Sequence, residues 1–183
     1  MFLLKQYPEY IFNFEGAVKY AWMKEYYPAQ YEEMKKFIES GRWHISGASW
    51  DATDTLVPSI ESAIRNIMLG QDYYRKEFGV ESTDIFLPDC FGFGWTLPAI
   101  ASHCGFSSQK LQWRNKPFYG NDKYPFTVGL WQGIDGSTIM MTHGYDYNQR
   151  FEDGDLSENK DLLELTGHSP LHMVYRYYGT GDI

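Results

Sequence analysis

Cysteine is scarce: 183 residues carry 2, Cys90 and Cys104. They form no Cys-x-x-Cys pair, and two thiols alone cannot complete a zinc site. A disulfide framework is excluded as the source of stability, a single bridge has little support, and a reducing compartment fits. Basic residues are also few, 16 Lys and Arg against 24 Asp and Glu, for a formal net charge of −8 and a sequence pI near 5.0. Phosphate binding needs clustered cations, so nucleic acid and anionic membranes are not expected partners. No stretch reaches the roughly 18 continuous apolar residues that a membrane span needs. The run Met1-Phe2-Leu3-Leu4 lacks a basic flank and a long apolar core, so no signal peptide is read there. The compartment stays open, with a bacterial cytoplasm or periplasm both compatible. No His-x-His pair occurs, and His168 and His172 are separated by Pro170, which argues against a shared helical face. His44 and His103 have no ligand spacing either. Gly92-Phe93-Gly94 and Gly179-Thr180-Gly181 match neither dinucleotide nor P-loop spacing.

What the chain does have is aromatic bulk, 6 Trp, 15 Tyr and 12 Phe, within an ordinary globular composition of 43% hydrophobic and 22% charged residues. Most of these rings are expected in the core, although aromatic faces also stack on sugars. The patterning predicts a strand over Tyr10–Phe14, a helix over Glu15–Tyr26, and a second helix beginning at Pro28 and stopping at Gly41. Trp43–Trp50 alternates as a strand does. Asp51–Thr55 is a polar loop. Pro58-Ser59 opens the strongest helix, which carries Ile60, Ile64, Ile67, Met68, Tyr74 and Phe78 at helical spacing and ends at Gly79. Asp84–Leu87 is a short apolar strand, followed by a loop and a helix over Thr96–Cys104. Leu130–Gln132 and Ser137–Met141 flank an Asp135-Gly136 turn and predict a hairpin. A short helix is expected near Lys160–Leu165, and a last strand over Met173–Tyr178. Strands alternating with helices, without a repeat, imply an α/β domain with a mostly parallel sheet.

In such folds the loops at the carboxyl ends of parallel strands carry the chemistry. Asp51, Asp89 and Asp182 each follow a predicted strand. A carboxylate set between Pro88 and an aromatic loop is partly desolvated and needs a compensating partner. Loop capping competes as the explanation for Asp51 and Asp54, a turn residue for Asp182, and a helix N-cap or loop aspartate for Asp89. His143 follows the Ile139–Thr142 strand, where a backbone-bonded imidazole is the plainer reading.

At Asp84–Gly94 the sequence becomes specific. Ile85-Phe86-Leu87-Pro88-Asp89-Cys90-Phe91-Gly92 resembles the nucleophile segment of glycoside hydrolase family 38, the α-mannosidases. In order along the chain, Gly41-Arg42-Trp43 with Gly47-Ala48-Ser49-Trp50, then Pro58–Ser62 with Gly70-Gln71, then Trp131–Ser137 with Thr142-His143, are similar to further family segments. Tyr178-Gly179-Thr180-Gly181-Asp182 resembles the glycine-rich acid/base segment of bacterial members. The resemblance implies a distorted (β/α) barrel, incomplete over 1–183, with a retaining mechanism and one divalent ion, usually zinc. It implies Asp89 as nucleophile and metal ligand, and Asp182 as acid/base with an elevated pKa. Trp50, Asp51, Phe91, His143 and Tyr145 are then the expected sugar contacts, and mannose-containing glycans the expected partners. Packing competes for Trp50 and Phe91.

Departures from the family pattern qualify those expectations. The upstream His-x-His-x-Asp segment is not found, which leaves Asp89 as the sole matched metal ligand. The expectation is therefore a single domain, 1–183, internal to a catalytic domain, without its first strand or downstream domains. Such a chain should bind zinc weakly or not at all and be inactive alone. An unpaired sheet edge would favour a homo-oligomer. Trp50–Thr55 also departs from the commoner Trp-Val-Glu-Pro-Asp pattern, and neither Lys110 nor Arg114 is assigned a role. A non-catalytic carbohydrate-binding module of the same fold is the competing reading, and a deacetylase or amylase of related fold a third.

Overall fold

The computed structural model describes residues 1–87, 90, 93–106, 112–115, 128–143, 158–168 and 172. The chain is mixed α/β. In order it forms α1 (Phe2–Gln6), β1 (Phe12–Glu15), α2 (Ala17–Tyr26), α3 (Pro28–Glu39), β2 (Trp43–Ser46), α4 (Ile60–Phe78), β3 (Asp84–Leu87), α5 (Leu97–His103), β4 (Gln112–Asn115), β5 (Val128–Gln132), β6 (Thr138–His143) and α6 (Lys160–His168). These fall into two compact units, Met1–Thr53 with Val57–Phe86, and Asp54–Leu56 with Leu87–Ile183.

In the first unit β1 and β2 pair in parallel, from Phe12 opposite Trp43 to Glu15 opposite Ser46. Helices α2, α3 and α4 cover an aromatic core of Tyr20, Tyr31, Trp43 and Tyr74 with Leu4, Ala17, Met34 and Ile45. The rings meet edge to face, Phe12 on Trp43 at 4.6 Å and Tyr20 on Tyr74 at 5.7 Å between centroids. That geometry sets the positive ring edge against the negative face. The polar atoms of this core are satisfied: Trp43 Nε1 donates to Tyr20 Oη, which donates to the Phe14 carbonyl. Burial pushes the phenols of Tyr20, Tyr31 and Tyr74 well above the usual tyrosine range. At the rim Glu77 accepts from Lys24 and from Tyr31 Oη, which holds its carboxyl below the usual range.

Helix limits follow local chemistry. Pro28 starts α3, where the missing N–H costs nothing. Ser59 caps α4 by accepting from Ser62 N at 3.2 Å, and Gly79 ends it at φ 67°. The α1 helix was not foreseen within the aromatic run Phe2–Phe14. Arg42 helps hold it, donating from Nη2 to the carbonyls of Leu4 and Tyr7 near its C-terminus. The predicted first strand is displaced to Phe12–Glu15 and is half-buried rather than buried.

The strand expected over Trp43–Trp50 ends at Ser46. Gly47 turns the chain at φ 70°, and Gly47, Ala48 and Ser49 are all buried, so the two-residue alternation stops there. A Cβ on Gly47 would meet Glu15 Cβ at 2.9 Å, so crowding as well as backbone conformation favours glycine.

In the second unit β6 lies between β4, parallel to it, and β5, antiparallel to it. The expected hairpin is present. Gly136 alone takes a positive φ, 85°, while Asp135 does not. Strand β4 had no sequence expectation. Helix α5 packs on β6 and buries Leu97, Pro98, Ile100 and Ala101, with Ile139 of β6 fully buried. Helix α6 runs three residues past the expected Leu165. The strand predicted over Met173–Tyr178 lies outside the described residues. Among the described residues no helix is long and apolar enough to cross a membrane.

Candidate functional site

Trp50 and Asp51 stand at the end of the segment that leaves β2, and the first unit holds that segment from several sides. Asp84, 3% exposed at the start of β3, is one support. Its Oδ1 accepts Gly47 N at 2.9 Å and Ser82 Oγ at 3.0 Å, and its Oδ2 accepts Ser46 Oγ at 2.6 Å. Its carbonyl accepts Ala48 N at 2.8 Å. A carboxylate this buried requires such donors. The first turn of α2 is the second support, with Ala17 N donating to Ser49 O and Val18 N to Trp50 O, at 3.2 and 2.9 Å. Those amides have no partner within their own helix, so using them on the segment satisfies both sides.

Helix α4 is the third support. Tyr74 Oη donates to Gly47 O at 3.2 Å. Trp50 N donates to the Asn66 carbonyl at 2.8 Å. The Asn66 side chain grips Asp51 at both ends of its backbone: Asp51 N donates to Oδ1 at 3.1 Å, and Nδ2 donates to Asp51 O at 2.8 Å. Gly70 lies directly beneath. A Cβ there would overlap the Ala48 carbonyl oxygen and the Ser49 carbonyl carbon, and would stand 2.7 Å from Ser49 O. Trp50 is half-buried with Tyr73 of α4 edge-on at 5.8 Å. Asp51 is exposed, its Oδ1 accepting Ala52 N at 2.9 Å. An indole beside an exposed carboxylate offers an apolar face and a hydroxyl acceptor, the combination a sugar ring needs.

The other sequence candidates are placed less completely. Asp89, Phe91, Tyr145 and Asp182 lie outside the described residues. His143 is the last residue of β6, with its backbone opposite Asn115 of β4. Trp50 and Asp51 are therefore the candidates whose surroundings are described. Neither Cys90 nor Cys104 is in a disulfide, and burial raises the Cys104 thiol pKa. Among the described residues no three His, Cys, Asp or Glu side chains converge on a point that could hold a metal ion. The described residues thus do not form a zinc donor set.

Three supporting residues escaped sequence reading: Asn66, Gly70 and Asp84. Two of them left a signal. Glycine in a helix interior costs about 1 kcal/mol relative to alanine, so one mid-helix marks a close approach. Asparagine there is a poor helix former that often bonds backbone. Asp84 left none, because an aspartate opening a strand reads as a turn residue.

Comparison with known proteins bears on the whole chain. Residues 1–168 match the family described as glycosyl hydrolases family 38 N-terminal domain. "Alpha-mannosidase G" of Dictyostelium discoideum is 37% identical over 96% of this chain and 16% of its own length. "Alpha-mannosidase 2C1" of Homo sapiens is 32% identical over 76% of this chain and 13% of its own. The chain thus spans about a sixth or less of these relatives. Among solved structures, an α-mannosidase from Enterococcus faecalis V583 superposes with a TM-score of 0.65 at 21% identity, covering 77% of this chain and 16% of that one. A 4-α-glucanotransferase from Thermococcus litoralis reaches 0.71 at 16% identity, covering 98% of this chain and 28% of that one. At such identities these structures speak for the mixed α/β fold alone. The match over residues 1–168 is what assigns the lineage: this chain belongs to the N-terminal domain of the family 38 glycosyl hydrolases.

Proposed function

We propose that the protein is a retaining α-mannosidase that removes α-linked mannose from glycans, with Asp89 as nucleophile and Asp182 as acid/base. The family match over residues 1–168 carries the mannosidase reading, supported by relatives that are themselves called α-mannosidases; the roles of Asp89 and Asp182 rest on the resemblance of their segments. Residues 1–183 are read as one part of a distorted (β/α) barrel. In the sequence Asp89 comes two residues after Leu87, the last residue of β3, and such barrels carry their chemistry beyond the carboxyl ends of strands.

Two carboxyl groups suffice for the bond changes. Retaining glycosidases hold them about 5–5.5 Å apart. The Asp89 carboxylate attacks the anomeric carbon while protonated Asp182 delivers its proton to the departing glycosidic oxygen. A covalent mannosyl ester on Asp89 results. Asp182, now ionised, takes a proton from water as that water attacks the same carbon, which frees Asp89 and releases mannose with retained configuration. Trp50, Asp51, Phe91, His143 and Tyr145 are read as the residues that seat the sugar. A divalent ion, zinc by the family resemblance, would find Asp89 as its ligand in this chain and would polarise sugar hydroxyls when bound. The steps assigned here run through the carboxylates alone.

The test is hydrolysis of 4-nitrophenyl α-mannoside by the protein at its full encoded length. Asp89→Asn keeps the shape of the side chain and removes the nucleophile. It is expected to lower kcat by at least about 10³-fold, the scale on which removal of a catalytic residue is felt. Activity within tenfold of wild type would remove the nucleophile assignment. An inert wild type would leave the carbohydrate-binding module in its place.

A further inference from the structure

We infer that Asn66 is a positioning residue for substrate binding, acting through Asp51; this rests on the mannosidase reading above.

Three hydrogen bonds join Asn66 to two consecutive residues, Trp50 and Asp51. Its carboxamide bonds both the N–H and the C=O of Asp51, as a neighbouring strand would. A primary amide carries its donor and its acceptor on separate atoms, so both bonds form at once. The anchor is firm because Asn66 lies inside a 19-residue helix, four residues from Gly70, over which Ala48 and Ser49 rest without room for a Cβ. Asp51 itself is exposed, with its side chain bonded to the next amide. The grip on its backbone sets where its carboxylate stands, and the bond from Ala52 N holds the carboxylate's direction. Trp50 is oriented from the same helix, through Asn66 O and the Tyr73 ring. Helix α4 thus sets the spacing between an apolar platform and a hydroxyl acceptor.

Asn66 touches no substrate in this account, so its removal should weaken binding rather than slow the chemical step. Asn66→Ala in the full-length protein is expected to raise KM for 4-nitrophenyl α-mannoside about tenfold with kcat within about twofold, the pattern of lost uniform binding. Asp51→Asn should raise KM similarly. The double variant should be little worse than either single one, because residues acting through one group are not additive. Ser59→Ala is the control. It removes the N-cap of the same helix without touching the grip, and should lower stability while leaving KM unchanged. Should Asn66→Ala fail to fold, Asn66→Asp keeps the size and the Oδ1 acceptor but sets a carboxylate oxygen against Asp51 O, and is read in the same way.

An unchanged KM in the Asn66 variants would overturn the inference. So would multiplying effects in the double variant, or a KM rise in Ser59→Ala equal to that of Asn66→Ala. An inert wild-type enzyme would remove the mannosidase reading and this inference together. Wild-type turnover combined with any of the preceding results removes this inference alone.

Discussion

Two of the turns that leave β-strands among the described residues are held in opposite ways. The turn between β5 and β6 closes on itself: Gly133 N bonds Ser137 O, Gly136 N bonds Gly133 O, and Asp135 accepts from both the amide and the hydroxyl of Ser137. The segment Gly47–Asp51 after β2 is tied to distant partners, namely Asp84, Tyr74, Asn66, Ala17 and Val18. The hydrogen bonds of the first lie within its own few residues. The second exists only once α2, α4 and the start of β3 have assembled around it, so its precision depends on the whole unit. That is a reasonable way to hold residues proposed to meet a substrate.

The contrast predicts a graded series of effects. The largest is at Gly70. Gly70→Ala pushes a methyl into the backbone of Ala48 and Ser49, which cannot swing aside as a side chain would. It is expected to cost about 3 kcal/mol or more, read as a lower urea midpoint. A Gly70→Ala protein as stable as wild type would show that the segment is loosely held. Next is Asp84→Ala, which strands the buried Gly47 amide and two serine hydroxyls. A loss of about 2 kcal/mol is expected from the unsatisfied donors.

The smallest is at the self-contained turn. Bonding to Ser137 holds the Asp135 carboxyl below the usual aspartate range, so the ionised form is favoured in the folded turn. Its contribution is present above the unfolded value, about 4, and is lost as pH falls through the lower folded value. Asp135→Asn should remove that acid-side dependence from the thermal midpoint and change little near neutrality. A large change at neutral pH would mean that this turn, too, is tied to something beyond itself.

The same contrast explains what was legible in the sequence. Features set by a few neighbouring residues were read correctly: Pro28 opening α3, Ser59 and Gly79 bounding α4, and the Asp135-Gly136 hairpin. The strand forecast over Trp43–Trp50 overran at Gly47 because the alternating pattern continues while the burial does not. Gly47, Ala48 and Ser49 are covered on every side by elements far along the chain, which no local pattern encodes. Strand β4 was missed for a similar reason: Gln112-Trp113-Arg114-Asn115 has little strand character of its own and pairs with β6. The family was legible by another route, the resemblance around Leu87-Pro88-Asp89. The resemblance took in Gly70 but gave no role to it, to Asn66 or to Asp84, because the support beneath Trp50 and Asp51 depends on contacts between segments distant in the chain.

The central claim is that Asp89 forms the covalent bond to mannose. A slowly released fluorinated mannosyl fluoride, incubated with the full-length enzyme and followed by peptide mass spectrometry, tests it most directly. The account predicts one added fluoromannosyl group on the peptide containing Asp89, with loss of activity in step with labelling. Labelling of a different carboxylate, or an enzyme that turns over α-mannosides with no covalent adduct and inverted product, would contradict it.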